Sequence, residues 1–89
     1  MNSHTTKRFR ALFSSLPKHA QRQAREAYRL FRERPSHPGL RFKQVHSDPP
    51  VYSARVGIGY RSLGVVEEDA VIWFWIGTHA EYDKLLQNL

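Results

Sequence analysis

A chain of 89 residues has room for one domain with a single small core, and its 40% apolar and 12% aromatic content belongs to a folded domain, not a disordered one. The absence of cysteine excludes a disulfide framework and any thiolate metal site, and its simplest setting is a reducing cytoplasm. Fourteen Lys and Arg against eight Asp and Glu leave a net charge of +6, which favours a polyanion or an acidic protein as partner.

Met1 to Arg10 is polar and basic, without the apolar segment of a signal peptide. Phe9, Leu12, Phe13 and Leu16 then fall at helical spacing and predict a first amphipathic helix over Thr5 to Ser15. Pro17 suits the first turn of a second helix, which runs to Arg34 before Pro35 and the pair Pro38-Gly39 stop it. Ala20, Ala24, Ala27, Tyr28 and Phe31 form its apolar stripe, and the small alanines predict close packing on the first helix, as a helical hairpin. Arg22, Arg25, Arg29 and Arg32 share another face. They read either as a solvated surface or as a contact for a phosphate backbone or an acidic partner, with only Glu26 and Glu33 near enough to offset them.

From Leu40 the period changes to two. Leu40, Phe42 and Gln44 alternate with Arg41, Lys43 and Val45, a strand carrying two cations, Arg41 and Lys43, on one face. Asp48, Pro49 and Pro50 break it. Tyr52 to Val56 is a second strand, the Gly57 to Gly59 turn leads into a third over Tyr60 to Val66, and Glu67 to Asp69 turns into a fourth over Ala70 to Ile76. That last run is apolar throughout and predicts a central strand buried on both faces, with Trp73 and Trp75 on the same side. It is too short to span a bilayer. Thr78 caps a final helix to Asn88 with Tyr82, Leu85 and Leu86 as its apolar side. The fold class is α+β, in one domain over residues 1–89.

The candidate chemistry sits in the last third. Arg55 and Arg61 flank a short glycine turn on adjacent antiparallel strands, where two planar guanidinium forks suit a phosphate; the plainer reading is a surface salt bridge to Glu67, Glu68 or Asp83. His79 follows the buried strand, where a neutral imidazole can take a proton from a ribose 2′-hydroxyl or its cation can give one to a leaving oxygen; the alternative is a capping or packing histidine. Tyr82 lies one helical turn beyond and either orients a phosphate, stacks on a base or covers the sheet. Glu81 and Asp83 read as acid–base groups or as solvated carboxylates. His4, His19, His37 and His46 have no metal-site spacing, and Gly57 to Gly59 is too short for a phosphate loop, so no cofactor is implied.

On these residues the chain resembles the RelE/ParE superfamily of bacterial type II toxins. The shared passages are Leu16-Pro17 at the second helix, Pro35 to Val45, the hairpin from Tyr52 to Arg61, and the ending from Ile76 to Asp83. The resemblance implies a microbial-RNase-like fold, a helical hairpin on a four-stranded, mainly antiparallel sheet with a short C-terminal helix, neutralised by an antitoxin protein. Members divide into ribosome-dependent mRNA endonucleases and gyrase poisons. Arg61 matches the family's phosphate-stabilising arginine, Arg55 a strand cation of the nuclease branch, and His79 a position where several nuclease members place a catalytic arginine or histidine. The lysine-rich strand of the nuclease branch is reduced here to Ser53 and Arg55, Tyr82 is the nearest match to its C-terminal tyrosine, and the family's N-terminal strand looks short or missing. The leading expectation is an endoribonuclease that cuts mRNA on the ribosome without a metal, using Arg55, Arg61, His79 and Tyr82. The alternatives are a toxin that binds DNA gyrase and an inactive interaction module.

Overall fold

The first residues are polar, yet they form a strand. In the computed structural model, which describes all 89 residues, Asn2–Thr5 (β1) lies parallel to Ala70–Thr78 (β5), with Ser3 beside Val71 and Thr5 beside Trp73. The N-terminal strand is therefore present, and the sheet has five strands where the sequence predicts four. No apolar alternation marks Asn2–Thr5 because polar contacts hold it. Asn2 N–H donates to Asp69 O at 2.9 Å, Thr6 N–H to Trp73 O at 3.0 Å, and the Trp73 indole N–H to Ser3 Oγ at 2.7 Å.

Thr6 caps Lys7–Ser14 (α1), its hydroxyl oxygen accepting from Phe9 N–H at 3.1 Å. Pro17 precedes Lys18–Glu33 (α2), and the extended Arg34 ends it ahead of Pro35. The hairpin covers one face of the sheet, α1 against β5 and α2 against Pro50–Val56 (β3). It does not close along its alanines, however. The rings of Phe9, Phe13, Tyr28 and Phe31 keep the helices apart, leaving an apolar groove of about 220 Å³ floored by Ala54, Val56, Trp73 and Ile76. Tyr28, predicted in the buried stripe, is 45% exposed at this groove.

Leu40 does not begin a strand. Pro38–Leu40 is a single 3₁₀ turn that buries Leu40 in the core, Arg41 adopts a left-handed φ of 46°, and the strand itself (β2) runs over Lys43–Ser47. The expected alternation of Arg41 and Lys43 along one strand is thus replaced by a turn residue and a strand residue. Proline's fixed φ and glycine's freedom at Pro38-Gly39 favour the turn over extension.

Tyr60–Glu67 (β4) pairs with β3 and β5, and the order β1-β5-β4-β3-β2 puts β4, not β5, at the centre. Two apolar clusters result. Phe31, Leu40, Ala54, Val71 and Trp73 fill the face under α1 and α2; Val51, Leu63, Trp75 and Tyr82 fill the other, under His79–Gln87 (α3). Trp73 and Trp75 therefore lie on opposite faces, against the prediction. Their partners on β4 are consecutive residues, Gly64 and Leu63, so Phe74 is an extra residue that shifts the alternation by one. Gly64 fits the bulge because a Cβ there would stand 2.7 Å from Val71 Cγ2 and 2.9 Å from the Trp73 ring.

Candidate functional site

Alternation along β3 sends Val51, Ser53 and Arg55 to the α3 face, and along β4 sends Arg61 and Leu63 there. The three-residue turn between them, with Gly57 at φ 59°, sets a register in which Arg55 and Arg61 are direct cross-strand partners. Like charges placed opposite each other oppose folding. Neither guanidinium has a carboxylate within 4.0 Å, so the salt-bridge alternative does not hold. Hairpin carbonyls hold them instead. Arg55 Nε–H donates to Gly57 O at 3.2 Å, and Arg61 Nη1 donates to Tyr60 O at 2.8 Å and Ile58 O at 3.4 Å.

Partial burial, then repulsion from Arg55 and more weakly from Arg41, draws the Arg61 guanidinium below arginine's ordinary range. It remains a cation at neutral pH. Arg41 thus joins the site through its charge, and Lys43, opposite Ser53 on β2, shares the same face as Arg55. An anion entering here neutralises charge that the fold leaves unbalanced.

The α3 end of the site is equally ordered. Thr78 and Glu81 form a capping box: Glu81 N–H donates to Thr78 Oγ1 at 3.2 Å, and the Glu81 carboxylate accepts from Thr78 N–H at 2.9 Å. Those bonds, backbone first and hydroxyl second, hold the Glu81 carboxyl below the usual carboxylate range. Glu81 is therefore committed to capping, not to acid–base work. His79 N–H donates to Gly59 O at 2.9 Å, tying the start of α3 to the arginine hairpin. The half-exposed His79 ring pairs through Nδ1 with Asp83 Oδ2 at 3.1 Å.

Tyr82 is placed differently from the role expected of it. It is 6% exposed, its ring belongs to the core, and its hydroxyl donates to the buried Ser53 Oγ at 3.1 Å. It cannot reach out to orient a phosphate or stack on a base, since that would leave Ser53 and its own hydroxyl short of a partner. Its ring meets His79 edge-on at 5.9 Å between centroids and so supports the imidazole from below.

The arginine stripe of α2 lies apart from this site. Ala27 and Phe31 of α2 pack on the Trp73 cluster, so its polar side points away from the sheet, across from Arg55 and Arg61. Arg29 forks between Glu26 and Glu33, the latter at 2.7 Å, which relieves the repulsion expected along the stripe. Arg25 lies over the Phe13 ring at 5.2 Å and rims the apolar groove, while Arg32 lies over Tyr28 at 5.8 Å. Arg22 has no carboxylate partner. Sequence spacing brings out Arg55, Arg61 and His79; it misses the roles of Ser53, which meets Tyr82 across 29 positions of chain, and of Asp83, whose i,i+4 offset from His79 is a readable signal.

No group of three or more His, Asp or Glu side chains is placed to hold a metal ion, and no helix is long and apolar enough to cross a membrane. The profile of the family described as the ParE-like toxin domain matches residues 18–84. No curated protein sequence matches significantly. Among solved structures, the fold is similar to RelE in the RelB–RelE antitoxin–toxin complex of Methanococcus jannaschii, with 18% identity, a TM-score of 0.73, and coverage of 92% of this chain and 96% of that one. It is also similar to YafQ from E. coli strain BL21(DE3), at 12% identity and a TM-score of 0.70 over 91% of this chain and 96% of that one. For the archaeal RelE–RelB complex of Pyrococcus horikoshii OT3 the identity is 22%, the TM-score 0.64, and the coverage 86% and 92%.

Proposed function

The chain belongs to the family of ParE-like toxin domains, and from that we propose that it is the toxin of a type II toxin–antitoxin pair, an endoribonuclease acting on mRNA at the ribosome in the cytoplasm. One observation carries the reading: Arg55 and Arg61 are cross-strand neighbours without carboxylate partners, beside a histidine fixed to the same hairpin. Such an arrangement costs stability and gains something only when an anion arrives.

In the reaction proposed, the ribose 2′-oxygen attacks the adjacent phosphorus as its proton is removed. The O2′–P bond forms, the P–O5′ bond breaks, and its electron pair leaves on the 5′-oxygen, which takes up a proton. The products are a 2′,3′-cyclic phosphate and a free 5′-hydroxyl. Arg61 and Arg55 stabilise the charge that builds on the non-bridging oxygens, and His79 handles the proton. Arg41 and Lys43 guide the strand, and Tyr82 holds His79 in place.

The partner is an antitoxin protein, as RelE is seen with RelB in the two archaeal complexes. The groove between α1 and α2 suits it: an apolar trough with Arg10 and Arg25 along its sides fits an amphipathic acidic segment. A second reading is the alternative that the sequence resemblance raises, a toxin that binds DNA gyrase, and the ParE-like description of the matched family keeps it in view. Expression of the chain without its partner separates the two. Nuclease action predicts fragmentation of translated mRNA, reduced at least 100-fold by Arg61→Ala or His79→Ala. Intact mRNA together with gyrase–DNA adducts would establish the second reading instead.

A further inference from the structure

The half-exposed pair His79–Asp83 is the one acid–base couple on the α3 face of the sheet. His79 is the first residue of α3 and Asp83 lies one turn later, which brings the imidazole Nδ1 within 3.1 Å of Asp83 Oδ2. Nε2, across the ring, has no hydrogen-bond partner in the protein. One further contact bears on the ring and two fix its supports. The His79 N–H is bonded to Gly59 O, the Tyr82 ring lies edge-on beneath, and Tyr82 is itself anchored by its bond to Ser53. A carboxylate 3.1 Å from Nδ1 favours the proton on that nitrogen by its charge and leaves Nε2 as the basic position. A free imidazole in water prefers the opposite tautomer, so Asp83 decides which nitrogen is basic.

We propose that Asp83 is a positioning residue that holds His79 as its Nδ1–H tautomer, making Nε2 the general base that takes the 2′-hydroxyl proton. This rests on the RNA-cleavage reading above. The proton passes from O2′ to Nε2, the imidazolium is stabilised by Asp83, and the leaving 5′-oxygen takes its proton from water. The energy of an exposed i,i+4 ion pair is small. The role of Asp83 is therefore one of orientation, and it adds little to the fold. Arg61 lies within electrostatic reach of Asp83, so the same carboxylate is felt by a phosphate-binding cation.

The test joins two readouts on the intact chain. Nitrogen-15 spectra of the His79 ring near pH ~8.5, where a free imidazole is neutral, report the tautomer directly. Wild type is expected to show Nδ1 protonated and Asp83→Ala to shift the ring toward Nε2–H. On programmed ribosomes, Asp83→Ala is expected to lower kcat about tenfold, a fraction of what a general base supplies as a whole, with KM unchanged. Asp83→Glu should restore part of the rate. An unchanged tautomer, or a loss confined to KM, would overturn the proposal. Absence of His79-dependent RNA cleavage by wild type would instead sink the nuclease reading and the base role with it, while the tautomer ratio still decides whether Asp83 fixes the ring.

Discussion

At the scale of single residues, the pairing of Arg55 with Arg61 sets folding against function. Two guanidinium groups on facing positions of β3 and β4 repel, and no carboxylate within 4.0 Å relieves them. Arg55→Thr removes one charge and inserts a good strand former. Urea unfolding should show it equal to wild type or more stable, by about 0.2–1 kcal/mol, while RNA cleavage falls. A marked loss of stability would mean that Arg55 is structural. This pair was legible in the sequence because the glycine turn fixes the register within a few residues. Tyr82 was not. A tyrosine one turn after a histidine looks the same in sequence whether its hydroxyl meets solvent or a serine on β3, and only the fold brings Ser53 beneath it.

At the scale of elements, α3 is the piece that carries His79 to the arginines, and its start depends on the Thr78–Glu81 capping box. Thr78→Ala is expected to cost about 1 kcal/mol in denaturant unfolding. The Glu81 carboxyl is lowered in the folded chain, so its stabilisation is present above its unfolded pKa, roughly 4.3, and is lost as pH falls through the lower folded value. Unfolding measured from neutral pH downward should therefore show wild type losing stability in that acid window, and Glu81→Gln should lack that part of the loss. Thr78 was readable as a cap, but Glu81, read as an acid–base group or a solvated carboxylate, proves to be the other half of a capping box. β1 was harder to read, since a polar strand held by main-chain bonds and by Ser3 has no periodic signal. Phe74 misled in another way: in a run apolar on both faces, a bulge leaves no trace in the alternation, so Trp73 and Trp75 look alike although they serve different cores.

For the molecule as a whole, the sheet separates two working surfaces. The α3 face carries Lys43, Arg55, Arg61 and His79, with Arg41 within electrostatic reach of Arg61, while the other carries the apolar groove with Arg10 and Arg25 along it. The acidic turn Glu67 to Asp69 lies at the far end of β4 from Arg61, on the order of 20 Å away at strand rise, so the positive field of the site is not cancelled. Separate surfaces predict separable effects. Ala24→Glu, in the groove, should weaken capture of the antitoxin at least tenfold by bulk and like charge, yet leave RNA cleavage intact; loss of both together would place the partner on the site itself. The fold and the arginine hairpin were legible because they rest on local patterns. The groove was not, because it depends on how far aromatic rings hold two helices apart. The most direct measurement is the chemistry of RNA ends made by the purified chain on programmed ribosomes. The account predicts 2′,3′-cyclic phosphate and 5′-hydroxyl ends from wild type and almost none from Arg61→Ala or His79→Ala. Intact mRNA with wild type, or equal cleavage by both variants, would contradict it.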